Sequence, residues 1–115
     1  MKLALDFDGT YTLHPAFWDL FLHNAKAHGC KVLIVTLRHA THDRLALETH
    51  LERLGAGIVY CDGRPKADVL KERGIEVDVW IDDDPHCIHQ GSRHTPEQLV
   101  NWRKNDVHRK RPSTA

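Results

Sequence analysis

The segment that most constrains the fold of this chain is residues 3–10, with the sequence LALDFDGT. A short apolar run ends abruptly at two aspartates one residue apart, Asp6 and Asp8, which Gly9 follows. This pattern predicts a buried strand that ends in a sharp turn. Side chains two residues apart in a strand project to the same side, so we expect both carboxylates to face one pocket.

Asp6 and Asp8 repel each other in such a pocket. A cation, a shared proton or a set of hydrogen-bond donors must offset the repulsion, and each of these indicates a functional site. A turn with two solvated carboxylates is the alternative that this segment alone leaves open. The rest of the chain has to decide between the two interpretations.

Length and composition are those of a single globular domain. The chain has 115 residues, 41% of them hydrophobic and 28% charged, which is ordinary for a globular protein. No apolar run approaches the roughly 20 residues that a membrane span needs, so we expect a cytoplasmic location. The three cysteines follow no paired spacing, which argues against a disulfide framework. We predict one α/β domain over residues 1–109 and a basic tail over residues 110–115.

Charge is unevenly distributed along the chain. Residues 101–115 contain five basic residues and one acidic residue, so this segment carries +4 in a chain whose formal net charge is zero. It is either a solvated terminus or an electrostatic handle for an anionic partner. Residues 86–94 contain three histidines and a cysteine, but their spacing matches no usual pair of zinc ligands.

Short apolar strands alternate with helical segments. The predicted strands cover residues 3–6, 31–36, 58–61 and 77–81, and the predicted helices cover residues 15–28, 41–54 and 66–73. This alternation indicates the α/β class with a parallel sheet. In the first helix, the residues predicted to be buried are Phe17, Leu20, Phe21 and Ala25. A capping pattern at residues 95–98 predicts a last helix that Leu99 and Trp102 would dock.

Polar residues follow the predicted strands at their carboxyl ends, where an open parallel sheet binds its ligands. Asp6 and Asp8 end the first strand, and Thr36 ends the second. Lys66 follows the third strand, and residues 82–84 are three aspartates after the fourth. Carboxylates from two strands form an all-oxygen site suited to Mg²⁺. Lysine and threonine can donate hydrogen bonds to a phosphate beside it.

Taken in chain order, the four segments that carry these polar residues resemble the four-part signature of the haloacid dehalogenase (HAD) superfamily, in its phosphatase branch. DFDGT resembles the first block, the apolar run ending at Thr36 the second, Lys66 the third, and VWIDD the fourth. The resemblance implies a three-layer, Rossmann-like fold with four parallel strands and helices on both faces. It also implies a fifth strand after Asp84, for which the polar sequence there offers little support. Neither point at which the family inserts a cap domain has residues for one.

The resemblance implies a phosphomonoester hydrolase that forms an aspartyl phosphate. Asp6 would be the nucleophile and Asp8 the general acid/base, while Thr36 and Lys66 would hold the transferring phosphoryl group. Four groups would form the Mg²⁺ site: the carboxylates of Asp6 and Asp82, the main-chain carbonyl of Asp8, and Asp83 as an auxiliary carboxylate. Physical chemistry agrees, because a carboxylate can attack a phosphoryl group whose charge Mg²⁺ and lysine neutralise.

The substrate is not identified by the sequence. Arg38, Arg44 and Arg64 lie in or near the loops expected to rim the site. They are either surface residues or ligands for a second anionic group of a nucleotide or a phosphorylated nucleic-acid end. Because no cap is predicted, we expect a large substrate or a neighbouring subunit of a homo-oligomer to cover the site. A non-catalytic binding module and a phosphotransferase are the alternative functions.

Overall fold

A computed structural model describes residues 1–92, which form a four-stranded sheet in which all strands are parallel. The strands are β1 (Lys2–Asp6), β2 (Lys31–Thr36), β3 (Gly57–Tyr60) and β4 (Val79–Ile81). The helices are α1 (Pro15–Ala27), α2 (Glu48–Arg53), α3 (Lys66–Glu72) and α4 (His86–His89), and a 3-10 turn covers Tyr11–Leu13. The predicted α/β class is therefore confirmed for the described part of the chain.

The strand order is β3-β2-β1-β4, so the direction of chain progression reverses beside β1. β1 pairs with both neighbours, and Leu5 lies opposite Ile34 on one side and Ile81 on the other. A strand that is paired on both sides and covered on its faces has to be apolar along its whole length, as the sequence of β1 is. The reversal places the ends of β1 and β4 side by side, which is where parallel sheets bind ligands.

Two hydrophobic clusters share the residues of β1. Leu3 and Leu5 belong to one cluster, together with side chains of α1 and α2. Ala4 belongs to the other, together with side chains of α3. Each fully buried leucine in such a cluster stabilises the fold by about 1.5–3 kcal/mol. Because both faces of β1 are packed, the position of its carboxyl end relative to the helices is fixed.

Helix α1 buries a different set of residues from the predicted one. Leu22 and Ala25 are buried and Phe21 packs partly against the core, whereas Phe17 and Leu20 are 54% and 60% exposed. The predicted burial of Phe17 and Leu20 was wrong. The apolar stripe that meets the sheet is centred between Phe21 and Leu22, and the helical rotation of about 100° per residue carries Leu20 away from it.

Helix α2 is much shorter than the helix predicted over residues 41–54. The preceding backbone is held in a loop by side chains. An Asp43 carboxylate oxygen accepts a hydrogen bond from the His39 N–H at 2.6 Å, and the Leu45 N–H donates to the Tyr60 hydroxyl at 3.0 Å. These side chains compete with helical hydrogen bonds. Residues 41–54 therefore do not form one continuous helix.

Beyond β3, the structure refines the remaining predictions. β4 begins two residues later than the strand predicted over residues 77–81. Residues 85–92 contain α4 and no strand, and the predicted last helix and basic tail lie outside the described residues. No helix within residues 1–92 has both the length and the apolar character needed to cross a membrane.

Candidate functional site

Three carboxylates meet at the carboxyl edge of the sheet. Asp6 is the last residue of β1, and Asp82 and Asp83 directly follow β4. One oxygen atom from each of these carboxylates lies within 4.8 Å of the others. They meet because β1 and β4 are parallel neighbours with Leu5 opposite Ile81, so the residues that follow both strands emerge together. We call this set the acid cluster.

Lys66 is a buried lysine that bridges two members of the acid cluster. Its Nζ donates hydrogen bonds to Asp6 Oδ1 at 2.7 Å and to Asp82 Oδ2 at 2.6 Å, and the residue is 1% exposed. Burial lowers the pKa of an ammonium group, but the two carboxylates outweigh it and raise the pKa of Lys66 above its ordinary value. Lys66 is thus a fixed positive charge in the site.

The turn before α3 positions Lys66. Asp62 and Gly63 both have positive φ angles, 52° and 77°, which reverse the chain after β3. The Ser92 N–H donates to the Gly63 carbonyl at 2.8 Å. Gly91 packs so closely on this turn that a β-carbon there would lie 2.7 Å from the same carbonyl. The segment after α4 thus braces the turn that delivers Lys66 to the acids.

The pKa of Asp6 is strongly perturbed in the acid cluster. Burial raises its pKa to about 8, Lys66 opposes this rise, and the negative charge of Asp82 adds to it. When all three carboxylates are ionised, they carry two negative charges more than the ammonium of Lys66 neutralises. A divalent cation would balance them, and carboxylate oxygens are the ligands that Mg²⁺ prefers. The donor set therefore fits Mg²⁺.

Thr10 links the two sides of the acid cluster, although the sequence assigned it no role. Its hydroxyl lies 3.0 Å from Asp6 Oδ2 and 3.3 Å from Asp83 Oδ1, and it accepts the Asp83 N–H at 3.2 Å. With a single hydrogen, the hydroxyl donates to one carboxylate at a time. The signal for Thr10 was its place in DFDGT, where the glycine turn returns the fifth residue to the strand end.

Aromatic packing anchors the loop that carries Asp8 and Thr10. The rings of Phe7 and Tyr11 are stacked with their centroids 5.4 Å apart, and Tyr11 is buried. The Tyr11 hydroxyl donates to Asp19 Oδ1 at 2.6 Å on α1. This tyrosine stands where the resemblance leads one to expect an aliphatic residue, and its buried ring and hydrogen bond tie the loop to α1.

Asp8 forms a two-point ion pair with Arg38. Arg38 Nε donates to Asp8 Oδ2 at 2.9 Å, and Nη2 donates to Oδ1 at 2.7 Å, so the guanidinium binds both carboxylate oxygens. Arg38 Nη1 also donates to the main-chain carbonyl of Asp43 at 3.2 Å. The guanidinium carbon lies 5.2 Å from the Phe7 ring centroid. The metal role that the resemblance gives Asp8 concerns its main-chain carbonyl and leaves this side-chain pair intact.

Thr36 ends β2 and is 1% exposed. Its hydroxyl oxygen accepts the Arg38 N–H at 3.2 Å, which leaves the hydroxyl hydrogen for an acceptor. Thr36 is thus a strand-end hydroxyl bonded to backbone, and its hydroxyl can still donate to a phosphate, as the resemblance implies.

Arg44 and Arg64, the other two arginines expected at the rim, form ion pairs with glutamates. Arg44 Nε donates to Glu48 Oε2 at 2.6 Å, and Arg64 Nη1 donates to Glu72 Oε2 at 2.9 Å. Both arginine side chains are more than half exposed. Exposed pairs of this kind contribute little to stability. Of the three arginines, Arg38 is the one that engages a carboxylate of the DFDGT segment.

Asp84 and α4 complete the loop after β4. The Asp84 N–H donates to Asp82 Oδ1 at 3.0 Å, and the Cys87 thiol donates to Asp84 Oδ2 at 3.4 Å. Asp84 therefore orients Asp82 through its backbone and holds α4 through its side chain. Within residues 1–92, His86 and His89 belong to no cluster of three potential metal ligands, so the described part of the chain offers no zinc site there.

Comparison with known proteins adds no relative to this picture: no protein-family model, no curated protein and no solved structure matches the chain. The link to the HAD superfamily therefore remains a resemblance of four short sequence blocks. The geometry of the acid cluster, Lys66 and the Asp8–Arg38 pair has to carry the inference about function.

Proposed function

We propose that this protein is a Mg²⁺-dependent phosphomonoester hydrolase that forms an aspartyl phosphate on Asp6. The observation that carries the proposal is the buried ammonium of Lys66 between Asp6 and Asp82, with a third carboxylate, Asp83, beside them. A buried ion pair that serves only the fold is expected to match its charges, because each unpaired buried charge is costly. Here two buried carboxylates, Asp6 and Asp82, face the one ammonium of Lys66, and a divalent cation held by them and by the exposed Asp83 would restore the balance.

The first half-reaction begins at Asp6. One of its carboxylate oxygens forms a bond to phosphorus while the ester P–O bond breaks. Asp8 gives its proton to the leaving alkoxide, which departs as the alcohol. Bound Mg²⁺ supplies neutralisation of the charge on the phosphoryl oxygens. Lys66 and Thr10, which both contact Asp6, hold the attacking carboxylate in one orientation.

The second half-reaction returns the enzyme to its starting state. Asp8, now ionised, takes a proton from a water molecule that attacks phosphorus. The bond between phosphorus and Asp6 then breaks, and inorganic phosphate leaves. Thr36 and Lys66 donate hydrogen bonds to the phosphoryl oxygens in both steps, so that charge developing on them meets fixed donors.

The same proposal assigns the chain a HAD-like, three-layer arrangement without a cap. Residues 1–92 place a 3-10 turn and α1 between β1 and β2, and a loop with α2 between β2 and β3. An open site favours a substrate that itself covers the mouth, such as a nucleotide or a phosphorylated nucleic-acid end, or a second subunit that does so. A cytoplasmic location fits the free, buried thiols of Cys61 and Cys87.

One contact favours the alternative of a non-catalytic binding module. Arg38 occupies both carboxylate oxygens of Asp8, the proposed general acid/base. A permanent pair would leave the fold and the metal site intact while removing proton transfer. The two functions therefore differ in whether Asp8 can leave Arg38.

Phosphate release from a panel of phosphomonoesters tests the proposal. The panel contains nucleotides, sugar phosphates, phosphopeptides and 3′- and 5′-phosphorylated oligonucleotides, each assayed with Mg²⁺ and with EDTA. We expect Mg²⁺-dependent release that Asp6→Asn abolishes, whereas Asp68→Asn, which changes an exposed carboxylate on α3, leaves it unaltered. Release that continues in EDTA or in Asp6→Asn would contradict the proposal. Mg²⁺ binding without release from any ester would identify a binding module.

A further inference from the structure

The ion pair between Asp8 and Arg38 can open so that Arg38 binds another anion. Both side chains remain partly accessible, with 19% and 17% of their surfaces exposed. The guanidinium uses one N–H on each of its three nitrogens for Asp8 and for the Asp43 carbonyl. A guanidinium has five N–H donors, so two remain. Arg38 can therefore begin to bind a second anion before it releases the first.

The position of Arg38 in the chain directs it towards the substrate. It lies two residues after Thr36, and its own N–H binds the Thr36 hydroxyl. In the proposed function, Thr36 holds the transferring phosphoryl group. The main chain of Arg38 thus adjoins that group, while its guanidinium lies against Asp8, which must reach the ester oxygen on the substrate's leaving side. An anionic group on the leaving alcohol would then come close to Arg38.

We propose that Arg38 selects phosphomonoesters whose leaving alcohol carries a second anionic group, such as a second phosphate. This inference rests on the proposed function. The second anion binds the guanidinium and draws it off Asp8. The freed carboxylate takes up a proton from solvent and then gives that proton to the leaving oxygen. An ester without that second anion leaves Arg38 on Asp8, so it reacts slowly.

Replacing Asp8 with a substrate anion costs Arg38 little electrostatic free energy. Arg38 gives up one anionic partner and gains another, so no guanidinium charge is left unpaired. The planar fork that binds the two oxygens of Asp8 matches two oxygens of a phosphate equally well. Phe7 and the Asp43 carbonyl continue to support the guanidinium in either state. Arg44 and Arg64 are paired with Glu48 and Glu72, which have no role in the proposed reaction, so an exchange there would free no catalytic group.

Two small esters isolate the second anion. Propyl phosphate and propane-1,3-diol bisphosphate share the ester bond and differ by one phosphate. We expect the wild-type kcat/KM to favour the bisphosphate by roughly 10- to 100-fold, the range that charge-assisted hydrogen bonds supply. Arg38→Gln should remove this preference and raise propyl phosphate turnover, because Asp8 is released from its ion pair. Arg38→Lys should restore part of the preference, and Arg44→Gln, the matched control, should retain all of it.

Two results would overturn the inference. One is a bisphosphate preference that survives Arg38→Gln. The other is an equal loss of turnover for both esters in Arg38→Gln, with an unchanged melting temperature, which would make Arg38 a residue that only orients Asp8.

Binding separates this inference from the proposed function. Isothermal titration of both esters with Mg²⁺ is carried out on Asp6→Asn and on the double variant Asp6→Asn/Arg38→Gln, in which no turnover is required. Tighter binding of the bisphosphate that depends on Arg38 supports the selection even if no ester is hydrolysed. An affinity ratio that is the same in the two variants refutes the selection even if Asp6 proves to be the nucleophile.

Discussion

Replacing Asp6 with asparagine should stabilise the metal-free protein, although it removes the proposed nucleophile. Asparagine has the shape of aspartate, and its amide oxygen can still accept from Lys66 while its NH₂ donates to the Thr10 hydroxyl. What the substitution removes is an ionisable group whose charged form is disfavoured by burial and by the negative charge of Asp82. The fold therefore loses an electrostatic cost and retains its hydrogen bonds.

The magnitude follows from the pKa of Asp6. Folding raises that pKa from 3.8 to about 8, so the folded protein binds its proton more tightly than the unfolded chain does. Stability accordingly falls as the pH rises from about 4 towards 8 and is level above that. At pH 7 this lowers the free energy of unfolding by about 4 kcal/mol, and Asp6→Asn should recover most of that amount. For a domain of this size that is a rise in Tm of at least about 10 °C.

Urea unfolding and calorimetry in EDTA, from pH 4.5 to pH 8, measure the effect. The difference between Asp6→Asn and wild type should be small, about 1 kcal/mol, at the acidic end and should grow steadily with pH. Glu76→Gln, which changes an exposed carboxylate, is the control and should show no such growth. Added Mg²⁺ should raise the Tm of wild type more than that of Asp6→Asn, because it binds the native acid cluster. A destabilised Asp6→Asn at pH 7, or a difference independent of pH, would refute this account of the charges.

Two further predictions concern packing around the site. Gly91→Ala should lower the free energy of unfolding by about 2–4 kcal/mol, because a β-carbon would meet the main chain of the turn before α3 at a positive φ. Gly74→Ala has a similar φ with open space around it and should cost only about 1–2 kcal/mol; equal losses in urea unfolding would show that the close approach of Gly91 is unimportant. Burial raises the pKa of the Cys61 thiol to about 11 and that of Cys87 to about 12, so few thiolates form at pH 8. Iodoacetamide at pH 8 should therefore modify the partly exposed Cys30 first and reach the other two only in urea, and mass spectrometry showing similar rates for all three in the native protein would contradict their burial.

The sequence predicted the sheet better than it predicted the helices. The continuous apolar runs of β1 and β2 have one explanation, a strand paired on both sides, so their bounds were nearly right. Helix α1 shows that apolar periodicity alone does not identify the buried face of a helix. Its apolar residues surround much of the helix, and only the sheet decides that Leu22 is buried while Leu20 is exposed.

The loop before α2 was mispredicted for a different reason. Leu45 and Leu51 are buried, as a helical repeat would require. The side chains of Asp43 and Tyr60 nevertheless bind the backbone there and prevent the helix. Competition of this kind depends on a residue of β3, which is distant in the chain, so a local pattern cannot reveal it.

In the candidate site, the sequence predicted which residues meet but not how they are paired. Asp6, Lys66 and Asp82 follow three different strands, and parallel pairing alone brings them to one edge. The pairing of Asp8 with Arg38 depends on the path of a loop, which no periodicity encodes. Three arginines looked alike in the sequence, and their partners distinguish them only in the folded chain.

The central claim is that Asp6 receives the phosphoryl group, and its covalent adduct is the most direct evidence. The measurement is acid quenching of the Mg²⁺-loaded protein during turnover of the best ester in the panel, followed by peptide mass spectrometry. We predict a phosphoryl group on Asp6 that hydroxylamine removes, as expected of an acyl phosphate, and none in Asp6→Asn. A phosphoryl group on any other residue, or turnover in Asp6→Asn that equals that of wild type, would contradict the claim.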